Sequence, residues 1–129
     1  MSQILVDTSV WVDYFNGKNP KAGMLSDLID GNAICTNDLI LAELIPFIRH
    51  AGESKLVELL ASVEKHEIKI DWRRIIEYQT LNLKKGINKV GIPDLIIVQH
   101  ALDHQLTLFT FDKHFELMSK IHDYEVYKV

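Results

Sequence analysis

Cysteine is almost absent from this chain of 129 residues: Cys35 is the only one. A lone thiol closes no intrachain disulfide and builds no cysteine-based zinc site, so a reducing cytoplasm is the expected compartment. An excess of basic residues is also missing. With 14 Lys and Arg against 18 Asp and Glu the formal charge is −4, which argues against a protein that holds nucleic acid by a broad basic surface. The opening Met1-Ser2-Gln3-Ile4 has no basic stretch and the apolar run behind it is broken by Asp7. Neither a signal peptide nor a membrane span is expected. Repeats, linkers and low-complexity tracts are lacking as well. What remains is 47% apolar and 25% charged residues, the balance of an ordinary soluble globular protein. One domain over residues 1–129 is expected, burying roughly two thirds of its unfolded surface without a staple.

Periodicity divides the chain into alternating strands and helices. Strands are predicted at Gln3 to Val6, Ala33 to Thr36, Ile68 to Ile70, Thr107 to Thr110 and Tyr124 to Lys128. Helices are predicted after Asp7 to Phe15, at Pro20 to Asp30, from an Asn37 cap to His50, and at Glu53 to Lys65, Trp72 to Lys85, Asp94 to His104 and Lys113 to Ile121. Asn16-Gly17 and Gly31 stop the first two, Pro46 should bend the third, and Gly86 to Pro93 is the one clear loop. Alternation of this kind predicts an α/β fold, a central, mainly parallel sheet covered on both faces in three layers. Ligands of such sheets bind beyond the carboxyl ends of the strands.

Four acidic residues fall at positions that reach that edge. Asp7 and Asp112 directly follow apolar strands, Asp94 opens a helix behind Pro93, and Glu43 sits within the apolar helical run Leu39-Ile40-Leu41-Ala42-Glu43-Leu44. A carboxylate among apolar neighbours is costly unless it is paired or holds a metal. An all-oxygen cluster suits Mg²⁺ or Mn²⁺, and with two such ions it suits phosphodiester cleavage. Two divalent ions would also return a chain of formal charge −4 to about neutral, leaving it able to accept a phosphate backbone. Taken singly, Asp7, Asp94 and Asp112 could be no more than helix caps and first-turn acids. Capping explains Glu43 poorly, and it does not explain four acids at matching topological positions.

Val6-Asp7-Thr8-Ser9-Val10-Trp11, Leu41-Ala42-Glu43-Leu44, Pro93-Asp94-Leu95-Ile96 and Thr110-Phe111-Asp112-Lys113-His114-Phe115 together resemble, in order and spacing, the four motifs of the PIN-domain family, and within it the VapC-type toxins of prokaryotic toxin-antitoxin pairs. The resemblance spans the chain. It implies a metal-dependent endoribonuclease with a PIN-like three-layer fold, in which Asp7, Glu43, Asp94 and Asp112 hold Mg²⁺ or Mn²⁺. Thr8 or Ser9 and Thr110 would give polar support. It further implies an RNA substrate, a small antitoxin as protein partner, and a homodimer. One departure is visible: where the family usually continues with small residues, this chain has Ile97-Val98-Gln99-His100. A PIN-fold module without turnover, binding RNA or a protein, is the alternative.

Other residues receive plainer readings. Asp13, Asp27, Asp30 and Asp38 read as caps or solvated faces, and only Asp38 is close enough in sequence to support Glu43. His100 and His104 have the i, i+4 spacing of zinc hydrolases, but without the glutamate beside the first histidine, so a helix flank is expected. Lys84, Lys85, Lys89 and Lys113 are candidate contacts to RNA phosphates, against the ordinary role of lysine in solubility. Trp11, Tyr14 and Phe15 are expected in the core. An aspartate-nucleophile phosphatase would want a second carboxylate where Ser9 stands, and a phosphorelay receiver would need a pair of acids beside the first strand.

Overall fold

The computed structural model describes residues 3–17 and 19–128. Five short strands, β1 (Ile4–Val6), β2 (Ile34–Thr36), β3 (Glu64–Lys65), β4 (Thr107–Phe109) and β5 (Glu125–Val126), form one sheet in the order β3-β2-β1-β4-β5. Every pairing is parallel, with Leu5 opposite Cys35 on one side and Leu108 on the other. The chain therefore builds outward from β1 through β2 to β3, then crosses to the other side of β1 for β4 and β5. The reversal leaves a crevice between the carboxyl ends of β1 and β4.

Among the described residues seven helices cover the sheet: α1 (Thr8–Asn16), α2 (Met24–Asp30), α3 (Asp38–His50), α4 (Ser54–Ala61), α5 (Trp72–Lys84), α6 (Ile92–Asp103) and α7 (Lys113–His122), with a 3₁₀ turn at Pro20–Gly23 before α2. α3 packs on α1 and α4, whereas α5, α6 and α7 pack on one another. These two groups form the outer layers that right-handed crossovers require on opposite faces of a sheet whose direction of growth reverses. Leu5, Val6, Cys35, Leu108 and Phe109 from the strands meet Val10, Trp11, Leu44 and Ile48 from one layer and Leu95, Val98 and Met118 from the other. Trp11 is wholly buried, with Tyr14 and Phe15 packed against the same core, as their spacing predicts. Gly17 ends α1 with φ of 64°, and its N–H closes onto the carbonyls of Asp13 and Tyr14.

The third strand departs from its predicted place. It lies at Glu64–Lys65, within the stretch predicted to be helix, and α4 ends at Ala61. Exposed charged residues on a two-residue edge strand are a common protection against unwanted pairing. Ile68 to Ile70, the predicted strand, joins no ladder. Its neighbourhood is held by the buried Gln99 side chain instead, whose Nε2 donates to the Lys69 carbonyl at 2.6 Å and whose Oε1 accepts from the Asp71 N–H at 2.9 Å. A side chain thus satisfies backbone groups that a strand partner would otherwise take. The bulk at Val98 and Gln99 is taken up by core packing and by this clamp. α6 also begins one residue earlier than the Pro93 position predicted.

His100 and His104 are not a simple solvated flank. His100 is only 2% exposed, and neither ring nitrogen has a hydrogen-bond partner among the described residues. The rings of His66 and His104 pack near it, with centroids at 6.4 and 4.6 Å. Burial, followed by the charges of His104 and His66, lowers the His100 pKa to about 4, with Asp103 opposing. The folded chain holds this ring neutral down to about pH 4, while the unfolded chain protonates it near 6.5. Stability from this source is complete above the higher value and is lost as pH falls toward the lower. Between pH 7 and pH 4.5 the chain should lose about 2 kcal/mol more than a His100→Phe variant does, by urea unfolding at both pH values.

Candidate metal centre

Asp7 sits where the reversal of strand order opens the sheet. Its N–H continues the ladder by donating to the Phe109 carbonyl at 2.9 Å, so the residue is fixed by β4 as well as by β1. It precedes α1 with extended backbone, yet its carboxylate makes no capping bond. Asp7 Oδ2 instead accepts from Ser9 Oγ at 2.8 Å and Thr110 Oγ1 at 2.9 Å. Each hydroxyl also accepts a backbone N–H from the turn after β4: Ser9 Oγ from Phe111 at 3.1 Å and Thr110 Oγ1 from Asp112 at 3.0 Å. Two hydroxyl relays thus bind the β1–α1 turn to the β4–α7 turn through one carboxylate.

The other acids arrive by different routes. Asp112 does cap its helix, since its Oδ1 accepts the His114 N–H at 2.9 Å and lies 3.1 Å from His114 Nδ1. The capping role read for it is therefore real and coexists with its place beside Asp7. Asp94 lies in the first turn of α6, half-buried, and accepts a backbone hydrogen bond from Gly91. Glu43 is carried by α3, whose start is fixed by the buried Asn37; its Oδ1 accepts the Ile40 N–H at 2.9 Å. The expectation that Glu43 is enclosed by apolar residues is not met. It stands on the open side of α3, because Ile40, Leu44 and Ile48 take the inward face. Its Oε1 receives Thr8 Oγ1 at 3.4 Å, so Thr8 serves Glu43 while Ser9 and Thr110 serve Asp7.

The carboxylates act on one another. Burial raises the Asp7 pKa most, and the Asp112 charge adds to it, against hydrogen bonds from Ser9, Thr110 and the Thr8 backbone. Glu43, though its residue is exposed, is raised by partial desolvation of its carboxylate and by the charges of Asp7 and Asp94, and burial raises Asp94, helped by Asp112 and Asp7. All four acids are thus linked by mutual repulsion. No lysine, arginine or histidine forms an ion pair with Asp7, Glu43 or Asp94 among the described residues. At 8% exposure, Asp7 is a buried carboxylate whose compensation is the Ser9 and Thr110 hydroxyls and the Thr8 backbone, with no cationic side chain.

These donors fit a hard divalent cation. They are carboxylate oxygens with short hydroxyl support, in a site of uncompensated negative charge. Cys35 cannot compete as a soft ligand: it is buried in β2, and burial pushes its thiol up to about 12. The acids are not drawn into a closed cage, since no three His, Cys, Asp or Glu side chains among the described residues stand together at ion-holding distance. Asp38 instead pairs with Lys65 at 3.0 Å. Of the four candidate lysines, Lys113 lines a groove shared with Thr110 and Asp112, whereas Lys84, Lys85 and Lys89 are exposed and do not line it. Lys21 and Lys128 do line it, and sequence spacing held no signal for either. The His114 contact could have been read from the cap, two residues after Asp112.

The family model described as PIN domain matches residues 4–121. The chain belongs to the PIN domain family. By sequence, no curated protein matches it. Among solved structures, this PIN domain is similar to the Rickettsia felis VapBC2 complex bound to a promoter DNA fragment, at 25% identity and TM-score 0.69 over 88% of this chain and 91% of that one. It shares its fold with Neisseria gonorrhoeae FitAcB, at 19% identity and TM-score 0.70 over 98% and 97% of the two chains. It also shares it with Mycobacterium tuberculosis VapC20, a toxin that cleaves the sarcin-ricin loop, at 16% identity and TM-score 0.63 over 89% and 94%.

Removing the charge at Asp7 should relieve the repulsion in metal-free protein. Asp7→Asn is expected to raise the melting temperature at pH 7 in EDTA by a few degrees. The difference should shrink as pH falls, because a carboxylate whose folded pKa is raised takes up a proton in the folded chain first. Calorimetric scans of both chains across pH check this, and a lower melting temperature for Asp7→Asn at pH 7 contradicts it.

Proposed function

We propose that this PIN domain is a metal-dependent endoribonuclease, the toxin of a toxin-antitoxin pair, with Asp7, Glu43, Asp94 and Asp112 holding Mg²⁺ or Mn²⁺. The observation that carries the proposal is Asp7: a buried carboxylate, oriented by two hydroxyls, that forms no ion pair with a basic side chain among the described residues, as Glu43 and Asp94 form none, while Asp112 has only the His114 ring at 3.1 Å. A protein using these acids only for structure would gain nothing from that repulsion.

Divalent ions supply what the carboxylates lack, activating water for attack on phosphorus and neutralising charge on the leaving 3′ oxygen. The chain's part is positioning. Ser9 and Thr110 fix the Asp7 carboxylate, and Thr110 also takes the Asp112 N–H, so one hydroxyl orients both ends of the crevice. Asp112 is held by the helix it caps. Asp94 and Glu43 reach in from opposite layers, and Thr8 steadies Glu43. No nucleophilic side chain is required, in keeping with a buried Cys35.

A small antitoxin is the proposed partner, covering the acidic groove and inserting an Arg or Lys among the carboxylates. Its support is that the R. felis VapBC2 complex is similar to this chain over most of both lengths. A homodimer is proposed too. α5 exposes Trp72 at 58%, Ile76 at 66% and Leu83 at 58%, and clustered exposed apolar side chains of this kind mark interaction surfaces. No helix among the described residues is long and apolar enough to cross a membrane, and a cytoplasmic location is proposed with the toxin role. A second reading, a PIN module without turnover, is favoured by one observation, the absence of a closed cage among the described residues.

The two readings separate on labelled RNAs incubated with purified protein in Mn²⁺, in Mg²⁺ and in EDTA. The nuclease reading expects cutting in a divalent ion, none in EDTA, and a loss of more than about a hundredfold in Asp7→Asn. Cleavage that survives both EDTA and the substitution rejects the acidic centre as its source. A folded chain that cuts no RNA under any condition favours the module.

A further inference from the structure

Next to Asp112 the surface carries a basic channel although the chain as a whole is acidic. A cavity of about 660 Å³ lies between α7 and β5, and a second of about 290 Å³ continues it to Thr110 and Asp112. Lys113 and Lys128 line both, Lys120 lines the first and Lys21 the second. None of these lysines forms an ion pair among the described residues. Three acids, Glu116, Glu125 and Asp112 itself, share the walls with four lysines. Lys113 and Lys120 lie two turns apart on one face of α7, about 10 Å along its axis. Lys21 comes from the opposite end of the chain, on a turn fixed by its own N–H to Asn19 Oδ1 at 3.0 Å.

The half-buried rings of Phe111 and Tyr127 also line the part nearest Asp112. Both rest on the wholly buried Phe109, with ring centroids at 5.6 and 5.0 Å. A lysine-lined channel with anchored, partly open aromatic rings combines the two elements of single-strand recognition, phosphate contacts and base stacking. Thr110 and Asp112, both part of the acidic centre, line its near end, which distinguishes it from scattered surface lysines.

We infer that the channel between α7 and β5 binds single-stranded RNA flanking the cleaved bond, with Lys21, Lys113, Lys120 and Lys128 contacting phosphates and Phe111 and Tyr127 stacking on a base. The inference rests on the nuclease reading for its substrate class. Binding is therefore measured apart from turnover, by fluorescence anisotropy of a labelled single-stranded RNA in Ca²⁺ buffer, with the oligonucleotide checked to stay intact. The Lys113→Gln/Lys128→Gln pair should weaken binding and lower the salt slope by about 1.4, the value for two lost contacts to a single strand. Tyr127→Leu, which keeps apolar packing on Phe109, should weaken binding about fivefold or more with the slope unchanged. Lys55→Ala on α4 should behave as the unaltered chain. RNA held through the channel by a protein that never cuts supports the inference while the nuclease reading fails. Unchanged affinity and slope in the lysine pair, equal binding of duplex RNA, or no RNA binding by the unaltered chain overturns it. So does loss of affinity for polyglutamate without loss for RNA, which would assign the channel to an acidic protein segment.

Discussion

The Asp7 carboxylate is the constraint on which the rest of the site depends. It is buried at the reversal of strand order, where β1 and β4 part, and Ser9 and Thr110 join the two turns by bonding to it. A buried carboxylate supported by neutral hydrogen-bond donors without a cation is costly, and the charge of Asp112 raises the cost. Packing around Leu5, Val6, Leu108 and Phe109 holds the arrangement regardless. The core thus offsets a local destabilisation that serves the site, a common relation between stability and function.

The supporting groups do double service, which keeps the site compact. Thr110 Oγ1 donates to Asp7 and accepts from Asp112. Asp112 caps α7 and adds charge to the crevice, and Asn37, by capping α3, sets the helix that presents Glu43. Substitutions at these residues should alter helix ends and the centre together, so neither effect alone identifies a role.

Much of this was legible in the sequence, for physical reasons. An apolar run ending in Asp, as at Asp7 and Asp112, marks a buried strand delivering a carboxylate to the sheet edge, and the structure has strands at both places. Periodicity failed where the chain leaves regular structure. Ile68 to Ile70 alternates like a strand, but the bonds that hold it come from Gln99, a residue remote in sequence. The exposure of Glu43 was hidden because Ile40, Leu44 and Ile48 alone supply α3 with its buried stripe. Lys21 and Lys128 gave no signal, since only the closing of the fold sets the two ends of the chain beside Asp112.

Manganese binding by titration calorimetry tests the central claim most directly, on the unaltered chain, on Asp7→Asn, and on Asp13→Asn as a carboxylate outside the crevice. The account predicts saturable binding to the unaltered chain and to Asp13→Asn, and its loss in Asp7→Asn. Equal binding by all three chains, or none by the unaltered chain while it remains folded, would contradict a metal centre built on Asp7.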